Sequence, residues 1–416
     1  MKLYAVDMIR NCLLYFLYVL TSISFAALLV SCRRSNIVES VDKDELFSIS
    51  YGNFEDQLNM FDLTDVGNIH TTMTMRDGFF YIANGEAGKI MELNSYGDLL
   101  TLYYNEDSGS AAFTKDKTLR NKHMPIAYPF KSPGAITVDS RKYMYVVSTM
   151  PKERQEEDET GTLLYSQIVL RFSSDGTSSD YIGQQGVGGT PFPFIRNIYT
   201  TADDELVVVC TTMEGSMVYW FSATGFLMYK IPIITRDVPK MPGISAANAG
   251  IIAAVQDVIP DYVSRRLFVK IDYYQPRVDK DSKVESGIDF VKTFLFSLSV
   301  ESGKYESPVT IPPYEETVTE DYSKLVFKLP YDFFGVSKSG WLFFIISTTD
   351  GFNVEMVQPF SQKIIRRHLD INHKDVLYYS MSLSDSGIIS ALLVEQDKAK
   401  VVWWRTDSLT AAILKP

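Results

Sequence analysis

The histidines, the cysteines, one glycine-rich run and one acidic run are the places where this chain's residue types and spacing could do chemistry. The histidines are His70, His123, His368 and His373. His368 and His373 stand five residues apart, a poor spacing for one metal ion on either a strand or a helix, so structural or surface roles and no metal site are expected. Cys12 and Cys32 fall in the N-terminal segment treated below. That leaves Cys210 alone in the apolar run Leu206-Val-Val-Val-Cys210, where it reads as a buried, inert thiol with no intrachain disulfide. Gly183, Gly186, Gly188 and Gly189 invite a phosphate-loop reading, but no Lys-Ser/Thr follows and no helix begins there, so a flexible loop explains the run. No Gly-x-Ser-x-Gly elbow marks a nucleophilic serine. The acidic run Glu153-Arg-Gln-Glu-Glu-Asp-Glu159 reads as a solvated loop rather than a cation site.

The elements that must position these residues form a repeat. From Tyr181 to Ile231 the chain gives a short strand at 198–200, a turn at Asp203-Asp204, an apolar strand at 206–210, a third strand at 217–221, a turn through Gly225 and a fourth strand at 226–231. Four short strands joined by tight turns make one blade of a β-propeller. Its opening half, strand–polar turn–apolar strand, recurs from Thr72, Ala135, Ile198, Phe334 and Met381, with a looser copy from Ile251. The turns carry Asp or Ser with Gly, which supply hairpin geometry, and the innermost strands carry small Thr, Ser, Ala and Gly suited to a crowded axis. Third strands are expected at 89–93, 167–172, 218–221, 293–298, 363–368 and 400–404. The count is six blades in an all-β domain spanning 45–416. One strand, Leu46 to Tyr51, is left over at the front, and the last blade stops after Trp404 with a short tail. Pairing the two closes the ring and removes an exposed edge. Polar insertions at 104–131, 151–165, 275–287 and 312–323 are expected as loops on one face.

The N-terminus has a different character. Lys2 and Arg10 precede a segment, 12–30, that is apolar apart from Thr21, Ser22 and Ser24, and Leu29-Val-Ser-Cys32 closes it. This closing tetrapeptide resembles the bacterial lipobox. The resemblance implies a signal peptide over 1–31, cleavage before Cys32 and a lipid on its thiol, with 32–44 as a polar tether; an uncleaved signal anchor is the other reading. Acyl chains anchor by burying methylenes, at ~0.8 kcal/mol each. Either way the domain leaves the cytoplasm. Arg33 after the cysteine favours the outer membrane of the cell envelope. The net charge of −11 and pI of about 5.0 disfavour nucleic acid as a partner.

The run Gly183 to Phe192, with its aromatic–proline cluster, short strand and acidic turn, resembles the NHL repeat. So do Pro133-Gly-Ala-Ile-Thr-Val-Asp139 and Gly78 to Leu93, with Asn84 where that family often has Asn or Asp. With the lipobox, the chain resembles NHL-type six-bladed lipoproteins of spirochaetes. The resemblance implies a ring-shaped binding scaffold without cofactor or catalysis. The architecture is also similar to six-bladed lactonases, which hold an axial calcium with Glu, Asn and Asp. Asp139 and Asn197 are the only donors at comparable positions here, too few for that site, so a propeller hydrolase is the runner-up and a ligand sensor a third reading. Aromatics recur just before the innermost strands: Tyr128 and Phe130, Phe192 and Phe194, Tyr331 and Phe333, Tyr378 and Tyr379. Either they form a rim that binds a peptide, glycan or envelope protein, or they pack between blades.

Overall fold

The structure, a computed structural model, describes residues 38–416 apart from 61–68, 109–122, 159–160, 162–163, 244–249, 280–283, 321–322 and 415–416. Cys32, the segment 1–31 and the first part of the tether, 32–37, lie outside the described residues. The compact unit begins at Ser40, five residues before the expected boundary. Ser40 bridges to His368, the Val41 N–H donates to the His368 carbonyl at 2.9 Å, and a strand opens at Lys43.

Six blades follow one another around an axis, antiparallel throughout except for Met124–Ala127, which pairs parallel with Leu99–Tyr104 in blade 1. Their innermost strands are Thr72–Arg76, Ile136–Val138, Phe194–Thr200, Ile252–Pro260, Asp332–Val336 and Tyr378–Leu383. The leftover front strand, Lys43–Ser50, is the outer strand of blade 6. It pairs antiparallel with Lys398–Trp404, from Lys43 opposite Trp404 to Ser50 opposite Lys398. The ring is therefore closed by the N-terminal strand, and neither end of the chain leaves the Lys398–Trp404 edge bare. A side-chain bond from Trp403 Nε1 to Asp44 Oδ2 (3.0 Å) and an ion pair from Lys400 to Glu45 (3.5 Å) support the pairing.

Strand alternation explains where the core sits. Each blade buries both faces against its neighbours, so the apolar residues gather in six buried clusters, one at each seam. The seam between blades 3 and 4 holds Trp220, Val269 and Phe296; the seam between blades 5 and 6 holds Trp341, Phe343 and Trp404. Cys210 is fully buried in the seam between blades 2 and 3, and burial pushes its thiol pKa up.

The polar residues that open the tight turns have a common task. The side-chain oxygens of Asp139, Thr201, Ser337 and Ser384 each accept the backbone N–H four residues on, at 2.8–3.2 Å. This is how Asp, Ser and Thr stabilise a hairpin start. Neighbouring hairpins are also stitched together, Ser140 N to Asp204 Oδ1 at 2.8 Å and Lys338 N to the Asp385 carbonyl at 2.7 Å.

Three sequence expectations change. In blade 5 the third strand is Gly351–Gln358, and Lys363–Asp370 is the fourth. The third strand carries Asn353 and Glu355, which disguise it as solvent-facing. Both are buried because they have partners: Asn353 bonds His368 Nδ1 (2.8 Å) and Glu355 accepts from Arg366 Nε (2.7 Å). The insertion 275–287 is not a loop but the far end of a ribbon made by Arg266–Val278 and Glu285–Ser299. The insertion 312–323 is likewise part of a second ribbon, Tyr314–Glu320 with Ser323–Leu329. The tail after Trp404 forms a helix, Thr406–Leu414.

Removing residues 40–50 bares the Lys398–Trp404 edge and opens the seam between blades 6 and 1. The expected result is a thermal midpoint lower by roughly 10 °C or more, with aggregation on gel filtration. An unchanged melt overturns the closure argument. Trp404→Ala, which empties a fully buried position, costs about 3–5 kcal/mol in denaturant unfolding.

Candidate functional site

The blade topology sorts every connection onto one of two faces. Hairpins between first and second strands, and between third and fourth, lie on one face. Hairpins between second and third strands, and the links to the next blade, lie on the other. Three of the four long insertions, 151–165, 275–287 and 312–323, belong to this second face; the fourth, 104–131, leaves from it but adds Met124–Ala127 as a fifth strand of blade 1, parallel to Leu99–Tyr104. The second face is also the one on which the innermost strands begin, so it surrounds the mouth of the central channel.

The channel holds a cavity of about 480 Å³. Thr72, Thr74, Thr137, Thr200, Ser380 and Ser382 line its wall. The innermost strands can carry these short side chains without closing the channel. At the mouth, Arg196 pairs with Asp257 at 2.8 Å, and Asp257 also accepts the Phe333 N–H at 3.3 Å. Burial raises the Asp257 pKa above the usual carboxylate range, against the opposing pull of Arg196. At the far end Tyr262 of blade 4 crosses the axis. Arg76 Nη2 of blade 1 lies 3.3 Å from its hydroxyl, and that hydroxyl donates to Asp385 of blade 6 at 3.4 Å. The channel is thus narrowed to a pit by residues of opposite blades.

The expected aromatic rim is not assembled. Phe130, Phe192, Tyr331 and Phe333 are buried in the seams, Tyr128 and Tyr378 are half-buried, and only Phe194 and Tyr379 are exposed. The physical reason is position. Blades pack against one another beside the innermost strands, so a ring there is drawn into a seam, as Phe333 meets Phe268 of blade 4 at 6.3 Å and Phe130 joins a cluster with Tyr103 of blade 1. Phe194 and Tyr379 belong to blades 3 and 6, across the ring from each other. Nor are Asp139 and Asn197 brought together. Asp139 sits in a hairpin of blade 2, its oxygens taken by Arg141 and by the N–H groups of Arg141 and Tyr143. Asn197 bonds the Ile198 N–H and Tyr199. Among the described residues no three His, Cys, Asp or Glu side chains converge on one point, and no helix is long and apolar enough to cross a membrane.

The residues that the sequence pattern hid are on the two ribbons. In the blade 4 ribbon, Tyr274 stands opposite Phe290 and Pro276 opposite Ile288, so these four share one face. Tyr274 and Phe290 stack edge to face at 5.9 Å, and Ile288 is 55% exposed. The other face carries the pair Arg277–Asp289 at 3.6 Å. The second ribbon repeats the plan. Tyr314 stands opposite Leu329, and Leu325, Phe327 and Leu329 share a face; Phe327 is 49% exposed. The opposite face carries Glu315–Lys328 at 3.6 Å. Both ribbons are amphipathic, and each leaves apolar side chains exposed, Ile288 on one and Phe327 on the other. Period-two alternation was the signal that would have found them, but the charged half of each alternation reads as loop.

A polar clasp fixes the chain between the closing strand and blade 1 on the same face. Asn84, fully buried, accepts the Asn59 N–H (3.0 Å) and donates to the Asn59 carbonyl (2.7 Å) and Thr71 (2.8 Å). Lys89, also buried, donates to the Phe54 carbonyl at 2.7 Å. Burial lowers its pKa to about 8, against Asp56 and Glu55, which raise it.

Closed ring, insertion-bearing face and axial pit define the class: a six-bladed β-propeller. No protein-family model matches the chain, and no curated protein matches it in sequence. Solved structures with a similar arrangement include a gluconolactonase from Xanthomonas campestris, 8% identical with a TM-score of 0.40, covering 89% of this chain and 99% of that one. A family PL25 ulvan lyase is 10% identical with a TM-score of 0.40, covering 87% and 83%. The Dos1 propeller is 10% identical with a TM-score of 0.34, covering 86% and 69%.

Lys89 gives a pH test of the clasp. Its folded pKa lies below the ordinary lysine value, so the folded state holds its proton at a cost below about pH 8. Stability therefore rises as pH climbs from there toward the unfolded lysine value. Unfolding at pH 7.5 and 9.5 should show the wild type gaining on the order of 1–3 kcal/mol relative to Lys89→Met. Parallel pH profiles would contradict a buried Lys89.

Proposed function

We propose that this protein is an NHL-type, lipid-anchored binding scaffold of the bacterial cell envelope, held by its N-terminal cysteine and docking a protein partner on the insertion-bearing face. One observation carries the docking reading: two amphipathic ribbons, on the same face and adjacent in the ring, each present exposed apolar side chains. Exposed apolar surface of this kind marks an interaction site, and ordered aromatic and aliphatic side chains supply its energy. The partner is a protein rather than a lipid bilayer or a nucleic acid. Acidic residues outnumber basic ones on the second ribbon and on the 151–165 insertion, and the chain as a whole carries a net charge of −11, a poor match to anionic phosphates. The complementary surface is apolar with a basic border. The Leu29-Val-Ser-Cys32 motif supports lipidation at Cys32, and Arg33 after it supports the outer membrane as destination.

Phe327→Lys and Ile288→Lys place a charge on each apolar face without touching a blade. Envelope proteins cross-linked to the wild type should be lost from both variants, while Phe360→Lys on the opposite face keeps them. Equal recovery from all three sinks the ribbon reading. For the anchor, Cys32→Ala should move the protein from the detergent phase to the aqueous phase on Triton X-114 partition. A variant that stays in the detergent phase has some other anchor.

A further inference from the structure

The axial pit contains a cation that the protein itself leaves short of partners. Arg76 ends the innermost strand of blade 1, and its side chain is 11% exposed. A guanidinium has five N–H donors. Here one hydrogen bond is made, Nη2 to the Tyr262 hydroxyl at 3.3 Å, and the buried Nε has none. Its acidic neighbours stay back, Asp77 at 3.5 Å and Asp385 at 3.8 Å. Elsewhere in the molecule an arginine beside a buried carboxylate closes the contact. Arg141–Asp139, Arg265–Glu205 and Arg366–Glu355 are all 2.7 Å. A buried, under-coordinated guanidinium is costly, and a carboxylate that accepts its fork recovers that cost.

Arg76 is the most deeply held charge at this end. Half-buried Asp385 is shared between Arg76 and Lys338 Nζ (3.8 Å), while Lys338 and Asp77 both lie out in solvent at 57% exposure. The guanidinium is therefore left with ion-pair contacts no closer than 3.5 Å. The wall above supplies hydroxyls with capacity to spare. Thr72 donates to the Gly134 carbonyl and Ser380 accepts the Met73 N–H. Thr200 donates to the Val138 carbonyl at 3.2 Å and so offers acceptor positions; Thr137 meets it at 3.3 Å, and Thr74 meets Ser382 at 3.5 Å, both long for hydroxyl pairs. Each hydroxyl offers one donor and two acceptor positions, so these groups also accommodate the hydroxyls of a ligand. The volume of about 480 Å³ lies within the range of small-molecule sites.

We infer that the pit binds a small polyhydroxylated carboxylate of the sugar-acid class, its carboxylate on Arg76 and its hydroxyls along the threonine and serine wall. The site is separate from the ribbon faces, so either assignment survives the failure of the other.

Calorimetric titration of the full chain in detergent micelles with D-glucuronate tests it, with D-glucose and acetate as controls. Glucose keeps the hydroxyls without the carboxylate, and acetate keeps the carboxylate without the hydroxyls. Glucuronate is expected to bind with a sub-millimolar Kd and each control at least about tenfold more weakly. Arg76→Gln should weaken glucuronate by about tenfold or more. Because Arg76 is buried, Thr137→Leu serves as a second variant: it crowds the wall, leaves the arginine in place and should weaken glucuronate as well. Phe360→Lys, on the outside of blade 5, should bind as the wild type does. No binding of glucuronate, equal affinity for glucose, or undiminished binding in folded Arg76→Gln or Thr137→Leu overturns the assignment.

Discussion

Each blade of this protein is a sheet of four or five strands with two apolar faces, and a sheet of that kind is stable only when both are covered. Seam packing is therefore the constraint on which the rest depends. It makes the molecule a ring of six buried clusters instead of a body with one core. A ring built this way has no end blade that can be left half covered. The pairing of Lys43–Ser50 with Lys398–Trp404 meets that demand, because it makes the last blade from both ends of the chain. Trp404, Ala399 and Val401 then lie in the last two seams as residues of an inner strand rather than of an edge.

The same constraint governs where function can sit. Aromatic side chains next to the innermost strands are drawn into the seams, because that is where the blades pack against one another. What remains free is the channel, where six strand edges converge and only short side chains fit, and the connections, which run outside the seams. The long connections all leave from one face. Two of them are ordered as long ribbons because period-two alternation lets each form a regular antiparallel ladder beyond the blade, whereas 151–165 forms only the short ladder of Glu156–Glu157 with Leu164–Tyr165. Their charged pairs, Arg277–Asp289 and Glu315–Lys328, lie on the side away from the apolar residues. The pit and the ribbons are thus two products of one topology, a recessed polar one and a projecting apolar one, around the same mouth.

Buried polar groups hold the arrangement in register. Lys270 and Asp272 are both fully buried in blade 4 and meet at 2.7 Å, with Thr293 on the second carboxylate oxygen. Glu205 receives Trp220 Nε1 at 2.6 Å and Arg265 at 2.7 Å, tying blade 3 to blade 4. Such pairs contribute less to net stability than their short distances imply, since desolvation offsets their attraction. Their effect is on specificity: a one-residue slip in any of these strands would bury a charge without its partner.

Local patterns in the amino-acid sequence determined the blade count, the closing strand and the face of the insertions. Those features rest on strand alternation and turn chemistry, which are properties of neighbouring residues. The small Thr and Ser of the innermost strands were legible for the same reason. Tertiary structure alone decided the rest. Glu355 and Asn353 look solvent-facing until Arg366 and His368 are placed beside them, which hid the third strand of blade 5. The aromatic pairs look like a rim until the seams claim most of them. Arg76, Tyr262 and Asp385 are up to 309 residues apart in sequence, 76 to 385, and nothing local marks them as one site. They meet only because the ring brings the ends of blades 1, 4 and 6 to a common axis, and proximity across an axis is a property of closure, not of any segment.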